Sequence, residues 1–160
     1  MKVLAIDPGY DRLGVAVMEY DDIGKEKLIF STCVLTDKKS ELSDRLFSMG
    51  TEVARLIKEH QPDTVGIETL FFNKNIKTAI GVAQARGIIL YLAKKAGLTV
   101  YEFGPQEIKV AVTGYGNSDK TAVYDMVNRL VTNVPEKALD DEYDAIAVGI
   151  TCLAQFGRSR

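Results

Sequence analysis

The sequence predicts an α/β fold with a mixed five-stranded sheet: a three-strand antiparallel meander followed by parallel crossover strands, all flanked by helices. Three observations lead there. The first 36 residues hold three extended apolar runs joined by short turns. The apolar period then changes from two to that of a helix. After that point, short extended runs alternate with helical ones, the pattern of crossover connections.

Residues 2–6 form the first strand, which runs into the turn "DPGYDRLG". "GVAVMEY" is the second strand and the charged, Gly-containing "DDIGKEK" its hairpin turn. "LIFSTCVLT" is the third strand. Leu42, Leu46, Met49, Val53, Leu56 and Ile57 then recur at helical spacing, with Ser40 as N-cap and Pro62 just past the end. "TVGIE" (64–68) is a fourth strand, ending on Glu68, and "TLFFNKN" is a loop. A long helix covers 76–96 and stops at Gly97. "LTVYEF" is the fifth strand, and "PQEIKVAV" a short helix opened by proline. Ser118 or Asp119 caps a helix reaching about Val131. The last helix runs from near Asp140 to about Phe156. One domain over residues 1–156 with a short tail at 157–160 is expected, without repeats or long linkers.

Composition narrows the function. No apolar run among the 160 residues could cross a bilayer, and the N-terminus has no signal-peptide pattern. A cytoplasmic protein is therefore expected. Cys33 and Cys152 sit in apolar stretches without metal-ligand spacing and read as free, buried thiols. A single histidine, His60, excludes a His-rich metal site; at a helix end it suits capping and the helix dipole. No GxSxG-like turn accompanies it to suggest a Ser-His-Asp triad. The net charge is −2, yet residues 69–120 carry seven lysines and arginines against three acids. The basic surface therefore lies in the middle of the chain.

Four acids stand out. If the first and fourth strands are parallel neighbours, Asp7 and Glu68 lie side by side at strand carboxyl ends, where open α/β sheets place their sites. In "LDDEYDAIAVG", Asp141 and Asp144 share one helix face while Glu142 points elsewhere. Each acid alone has an ordinary explanation as a turn, a strand end or a dipole partner. Together they suit hard, oxygen-loving cations and two-metal phosphoryl chemistry. In "TLFFNKN", two consecutive phenylalanines in a polar loop place an aromatic beside basic residues, a platform on which an unpaired base can stack. Lys120, after a Gly-rich loop and at a helix start, suits a phosphate.

"IDPG", "IE" after an extended run, "FFNKN", "AQARG", "GYGNSDK" and "DEYDAIAVGITC" occur in this order over nearly the whole chain. The ordered set resembles the RuvC family of Holliday-junction resolvases, endonucleases with a ribonuclease-H-like fold. The resemblance implies Mg²⁺, with Mn²⁺ as a substitute, at two ions per site. Asp7 would be shared by both ions, and Glu68, Asp141 and Asp144 would complete the ligand set, with Asp140 as a rival register to Asp141. Lys109 and Lys120 align with two basic residues near the cleaved strand, Lys120 counting among the catalytic set. Phe71 matches an aromatic that wedges the junction, and Phe72 could share that task. Asn73, Lys74, Asn75 and Lys77 would reach neighbouring DNA. Arg86, in "AQARG", could bind DNA or pair within a dimer. Products would be 5′-phosphate and 3′-hydroxyl ends, and a branch-migration helicase complex is the implied partner.

Because a four-way junction has two-fold symmetry, a C2 homodimer is expected. Its candidate interface is the face of the long helix bearing Ile80, Ala83, Gly87, Leu90 and Tyr91, a face that could also pack on the sheet. Tyr10 departs from the family, which often has a small polar residue after "DPG". An actin-like nucleotide binder would need a second Gly-rich phosphate turn that this chain lacks. An RNA-cutting relative and a non-catalytic junction binder remain the other readings.

Overall fold

The computed structural model describes residues 1–69 and 76–157, with the side chains of residues 76–78 excepted. Ten elements follow in order: β1 (Val3–Asp7), β2 (Arg12–Tyr20), β3 (Glu26–Leu35), α1 (Leu42–His60), β4 (Thr64–Glu68), α2 (Ile76–Lys95), β5 (Thr99–Phe103), α3 (Pro105–Thr113), α4 (Lys120–Leu130) and α5 (Asp140–Phe156). The strands lie in the order β3-β2-β1-β4-β5. β1 and β3 pair antiparallel to β2, whereas β4 is parallel to both β1 and β5. The expected mixed sheet is thus present, with a meander on one side and two crossover strands on the other.

Central strands covered on both faces need apolar residues on both sides. Val3 to Ile6 of β1 and Leu13 to Met18 of β2 meet that need, since every one is buried. Alternate residues feed two cores. Leu4, Ile6, Val15 and Val17 pack with Met49, Val53 and Leu56 of α1 and with Ala85, Ile89 and Ala93 of α2. Val3, Ala5, Ala16 and Met18 face α3, α4 and α5, whose buried Ala145 to Leu153 form the centre of the second core.

Local chemistry sets the ends. In the β2–β3 hairpin, Asp21 Oδ1 accepts from the N–H groups of Ile23 and Lys25, and Gly24 adopts φ +80°. Asp119 is the N-cap of α4, its Oδ1 accepting from Ala122 N at 2.8 Å. Ser40 does not cap α1. Glu41 holds the N-cap position without a side-chain bond, and the Ser40 hydroxyl is turned back toward Asp37 at 3.5 Å. His60 does not cap its helix end either. Its ring lies against Phe30, centroids 5.0 Å apart, and Lys2 Nζ takes the His60 carbonyl at 3.0 Å. Cys152 is buried as expected, while Cys33 is only partly so.

Candidate active site

Asp7 is the last residue of β1, and Glu68 is the last residue of β4. The parallel register Ile6↔Ile67 sets the two carboxyl groups side by side at the carboxyl ends of two interior strands. Thr69 fastens the chain beyond Glu68 to β5: its N–H and its hydroxyl both donate to the Phe103 carbonyl. On the other side of Asp7 stands Gly14 of β2, its register partner. A Cβ at Gly14 would collide with the carbonyl oxygen of Asp141. Glycine here lets the first turn of α5 settle directly on β2 beside Asp7.

That seat has a second anchor. Glu142 accepts from Leu139 N at 3.1 Å and from the Ser31 hydroxyl at 2.6 Å, tying the helix start to β3. Glu142 is therefore occupied away from the acids, as its helical position predicts. Asp141 and Asp144 turn toward the strand ends, and their charges reach Asp7. Asp140 lies outside, 70 % exposed, near Lys120.

Burial of so much negative charge shows in the acids' protonation. Burial, then the charges of Glu68, Asp144 and Asp141, push the Asp7 carboxyl up to about 8. Burial and the Asp144 charge push Glu68 up to about 7, although a hydrogen bond with Asp7 and the Lys120 charge oppose the rise. Asp144 is raised as well, chiefly by burial. Grouped carboxyls cannot all ionise in a low-dielectric cleft unless a cation joins them.

Two cations of the chain flank the group. Lys120, the first residue of α4, holds Nζ 3.2 Å from Asp144 and 3.7 Å from Asp140. It also stands 5.5 Å over the ring of Tyr124. Burial opposes the charge on this ammonium, but bonds to Tyr124 and Asp144 outweigh it and raise the pKa. Lys120 therefore stays protonated. On the opposite flank, Arg12 forms an ion pair with Asp141. Among the described residues, no three carboxylate, imidazole or thiol side chains close around a single ion position as they stand. Asp141 and Asp144 are instead each engaged by one of these two cations.

Lys109 of α3 and Lys120 border a cleft of about 320 Å³ beside Glu68 and Asp144, walled by Ile108, Val123 and Ala147. The structure thus brings Asp7, Glu68, Asp141, Asp144, Lys109 and Lys120 to one place. Arg86 is not there, since it is ion-paired with Glu102 of β5. Phe71, Phe72, Asn73, Lys74 and Asn75 lie outside the described residues, as does the side chain of Lys77.

Tyr10 has a clear packing role. Its ring lies 4.8 Å under the Arg45 guanidinium and against Gly81 of α2. Buried Arg45 also donates to the Tyr10 carbonyl and to the Thr36 hydroxyl, and it pairs with Asp11. The turn after Asp7 is thereby clamped to α1 and α2. Arg12 and Tyr124 went unremarked in the sequence because neither lies in a motif; only the spatial approach of β2, α4 and α5 brings them to the acids.

Known proteins resemble this chain over nearly its whole length. A family model described as "Crossover junction endodeoxyribonuclease RuvC" matches residues 3–152. A protein of that name from Thermosipho melanesiensis is 44 % identical over 154 residues, covering 96 % of this chain and 97 % of that one. Another from Finegoldia magna is 42 % identical over 152 residues, covering 94 % and 91 %. The structure of Thermus thermophilus RuvC in complex with Holliday junction substrate superposes with a TM-score of 0.89 at 29 % identity, over 98 % of this chain and 96 % of that one. The sheet order and nearly full-length similarity lead to one assignment: this chain belongs to the RuvC family of crossover junction endodeoxyribonucleases, metal-dependent nucleases with a ribonuclease-H-like fold.

Proposed function

We propose that this chain nicks four-way DNA junctions at a two-ion centre held by Asp7, Glu68, Asp141 and Asp144, as one half of a C2 homodimer. The observation that carries the proposal is the meeting of four carboxyls from β1, β4 and α5, with Asp7 pushed up to about 8 by burial and by its acidic neighbours. The donor set fits Mg²⁺ or Mn²⁺, which take carboxylate oxygens and leave positions for water and phosphate. When bound, such ions lower the pKa of water and neutralise charge that develops on the phosphorus oxygens.

The chain's own residues do the rest. Asp7, between Glu68 and the α5 acids, would serve both ions. Lys120, held protonated, can donate to a phosphoryl oxygen of the scissile group. Lys109, across the cleft, would hold the strand by a neighbouring phosphate. The phenylalanines at 71 and 72 would stack on bases unpaired at the crossover, with Asn73, Lys74, Asn75 and Lys77 along the adjoining backbone. Among the described residues no helix is long and apolar enough to cross a membrane, and we place the protein in the cytoplasm. The resemblance adds a branch-migration helicase complex as partner.

A labelled synthetic four-way junction, matched duplex and an RNA–DNA hybrid, each incubated in Mg²⁺ with wild type and Asp7→Asn, test the proposal. Symmetric paired nicks in the junction alone, lost in Asp7→Asn while junction binding persists, are expected. Cleavage of the hybrid, or binding with no metal-dependent cutting, overturns it.

A further inference from the structure

We infer that Arg12 is the resident counter-cation of Asp141, which a divalent ion must displace to enter the centre on that side. This rests on the reading of the four acids as ion ligands. Arg12 opens β2, and its Nη2 pairs with Asp141 Oδ2. The guanidinium also lies within hydrogen-bonding reach of the Cys33 thiol on β3. Its side chain is 45 % exposed and that of Asp141 is 21 % exposed, so the guanidinium can withdraw to solvent without unfolding anything.

Two observations make this a competition rather than a scaffold. The main chain at Asp141 is already seated by the glycine contact with Gly14 and by the bonds of Glu142 to Ser31 and Leu139. Asp141 therefore has no need of Arg12 to stay near Asp7. Arg12 also places a positive charge on one carboxyl oxygen of an acid that an incoming cation must use. A like charge so close opposes ion entry, and a bidentate-capable guanidinium competes for the same oxygen. Lys120 holds Asp144 in the same way on the opposite flank.

The test is Mn²⁺ binding to DNA-free protein, with free ion read by electron paramagnetic resonance, for wild type, Arg12→Gln, Arg12→Lys, Lys25→Gln and Asp7→Asn. Arg12→Gln should bind Mn²⁺ about three- to tenfold more tightly, as suits the loss of one partly exposed opposing charge. Arg12→Lys keeps the charge and should stay near wild type. Lys25→Gln, in the hairpin at the other end of β2, removes the same net charge at a distance and should change nothing. An Arg12→Gln affinity equal to or weaker than wild type overturns the inference. Tightening that Lys25→Gln matches overturns it too, by reducing the effect to net charge. Asp7→Asn separates the two readings. If it weakens binding while Arg12→Gln does not tighten it, only the role of Arg12 falls. If wild type takes up no Mn²⁺, the ion centre falls and Arg12 with it.

Discussion

At the scale of single residues, the site is governed by what burial does to a carboxyl. Asp7 holds its proton to about 8 in the folded chain, against an ordinary value of 3.8. Glu68 holds its proton to about 7, against 4.5. Between those values the folded state binds more protons than the unfolded one, so each rise in pH costs stability. Without divalent ions, the melting temperature should fall as pH rises from about 5 to 8 and level off above that. Mg²⁺ at pH 8 should recover it. Asp7→Asn, which cannot ionise, should flatten the slope and melt higher than wild type at pH 8 in chelator; calorimetry across that range decides. Lys120 makes a different case. Its ammonium is paired with Asp144, so on the proposed reading it would oppose ion entry while assisting the phosphate. Lys120→Met should lower single-turnover junction cleavage by about 10²-fold or more, the usual cost of losing a charged donor at a developing oxyanion. Mn²⁺ affinity should not weaken in the same variant. A parallel loss of both would make Lys120 a structural support.

At the scale of elements, α5 is the part on which everything else depends. It is buried along most of its length and carries two of the four acids in its first turns. Its position comes from glycine on the strand beneath. Gly14→Ala should destabilise the protein by about 1–3 kcal/mol in a urea melt and lift Asp141 from Asp7, because the new Cβ meets main chain and not a movable side chain. Most of this was legible beforehand. The acids sit at element ends, and the ends of β4 and α5 follow directly from the change of apolar period at Glu68 and Asp140. Ser40 and His60 depart from the capping expectation for one reason. A cap is a local expectation, and in both cases a partner outside the helix won: Asp37 for the hydroxyl, Phe30 for the ring, although His60 does stand in the last turn of α1 as the dipole favours. Arg12, Tyr124 and the Gly14 seat depend on which elements touch, something that periodicity along one strand or helix does not carry.

At the scale of the whole molecule, the face of α2 left exposed among the described residues connects fold to function. This helix is apolar nearly all round, a pattern that calls for cover on both sides. Ala85, Ile89 and Ala93 face the sheet and are fully buried. On the other side, Ile80, Ala83, Gly87 and Tyr91 are left open, with Ile80 58 % and Tyr91 63 % exposed. Phe47 of α1, 77 % exposed, extends the same surface across a shallow groove between the two helices. Gly87 has nothing within 4 Å of where a Cβ would stand, so a second helix can approach closely there. An isologous contact through this stripe would set two copies of the acidic site about one two-fold axis, as two symmetric nicks require. Tyr91→Glu combined with Phe47→Glu should therefore convert the proposed dimer to a monomer in sedimentation, with the fold retained because both side chains are solvent-facing. The monomer should still bind Mn²⁺ through an undisturbed Asp7 site. On a cruciform plasmid it should release nicked circles where the dimer releases linear product, since the second cut would no longer be tied to the first. A variant that stays dimeric, or a monomer that still linearises the plasmid in one binding event, would move the interface off α2 or detach paired cutting from dimerisation.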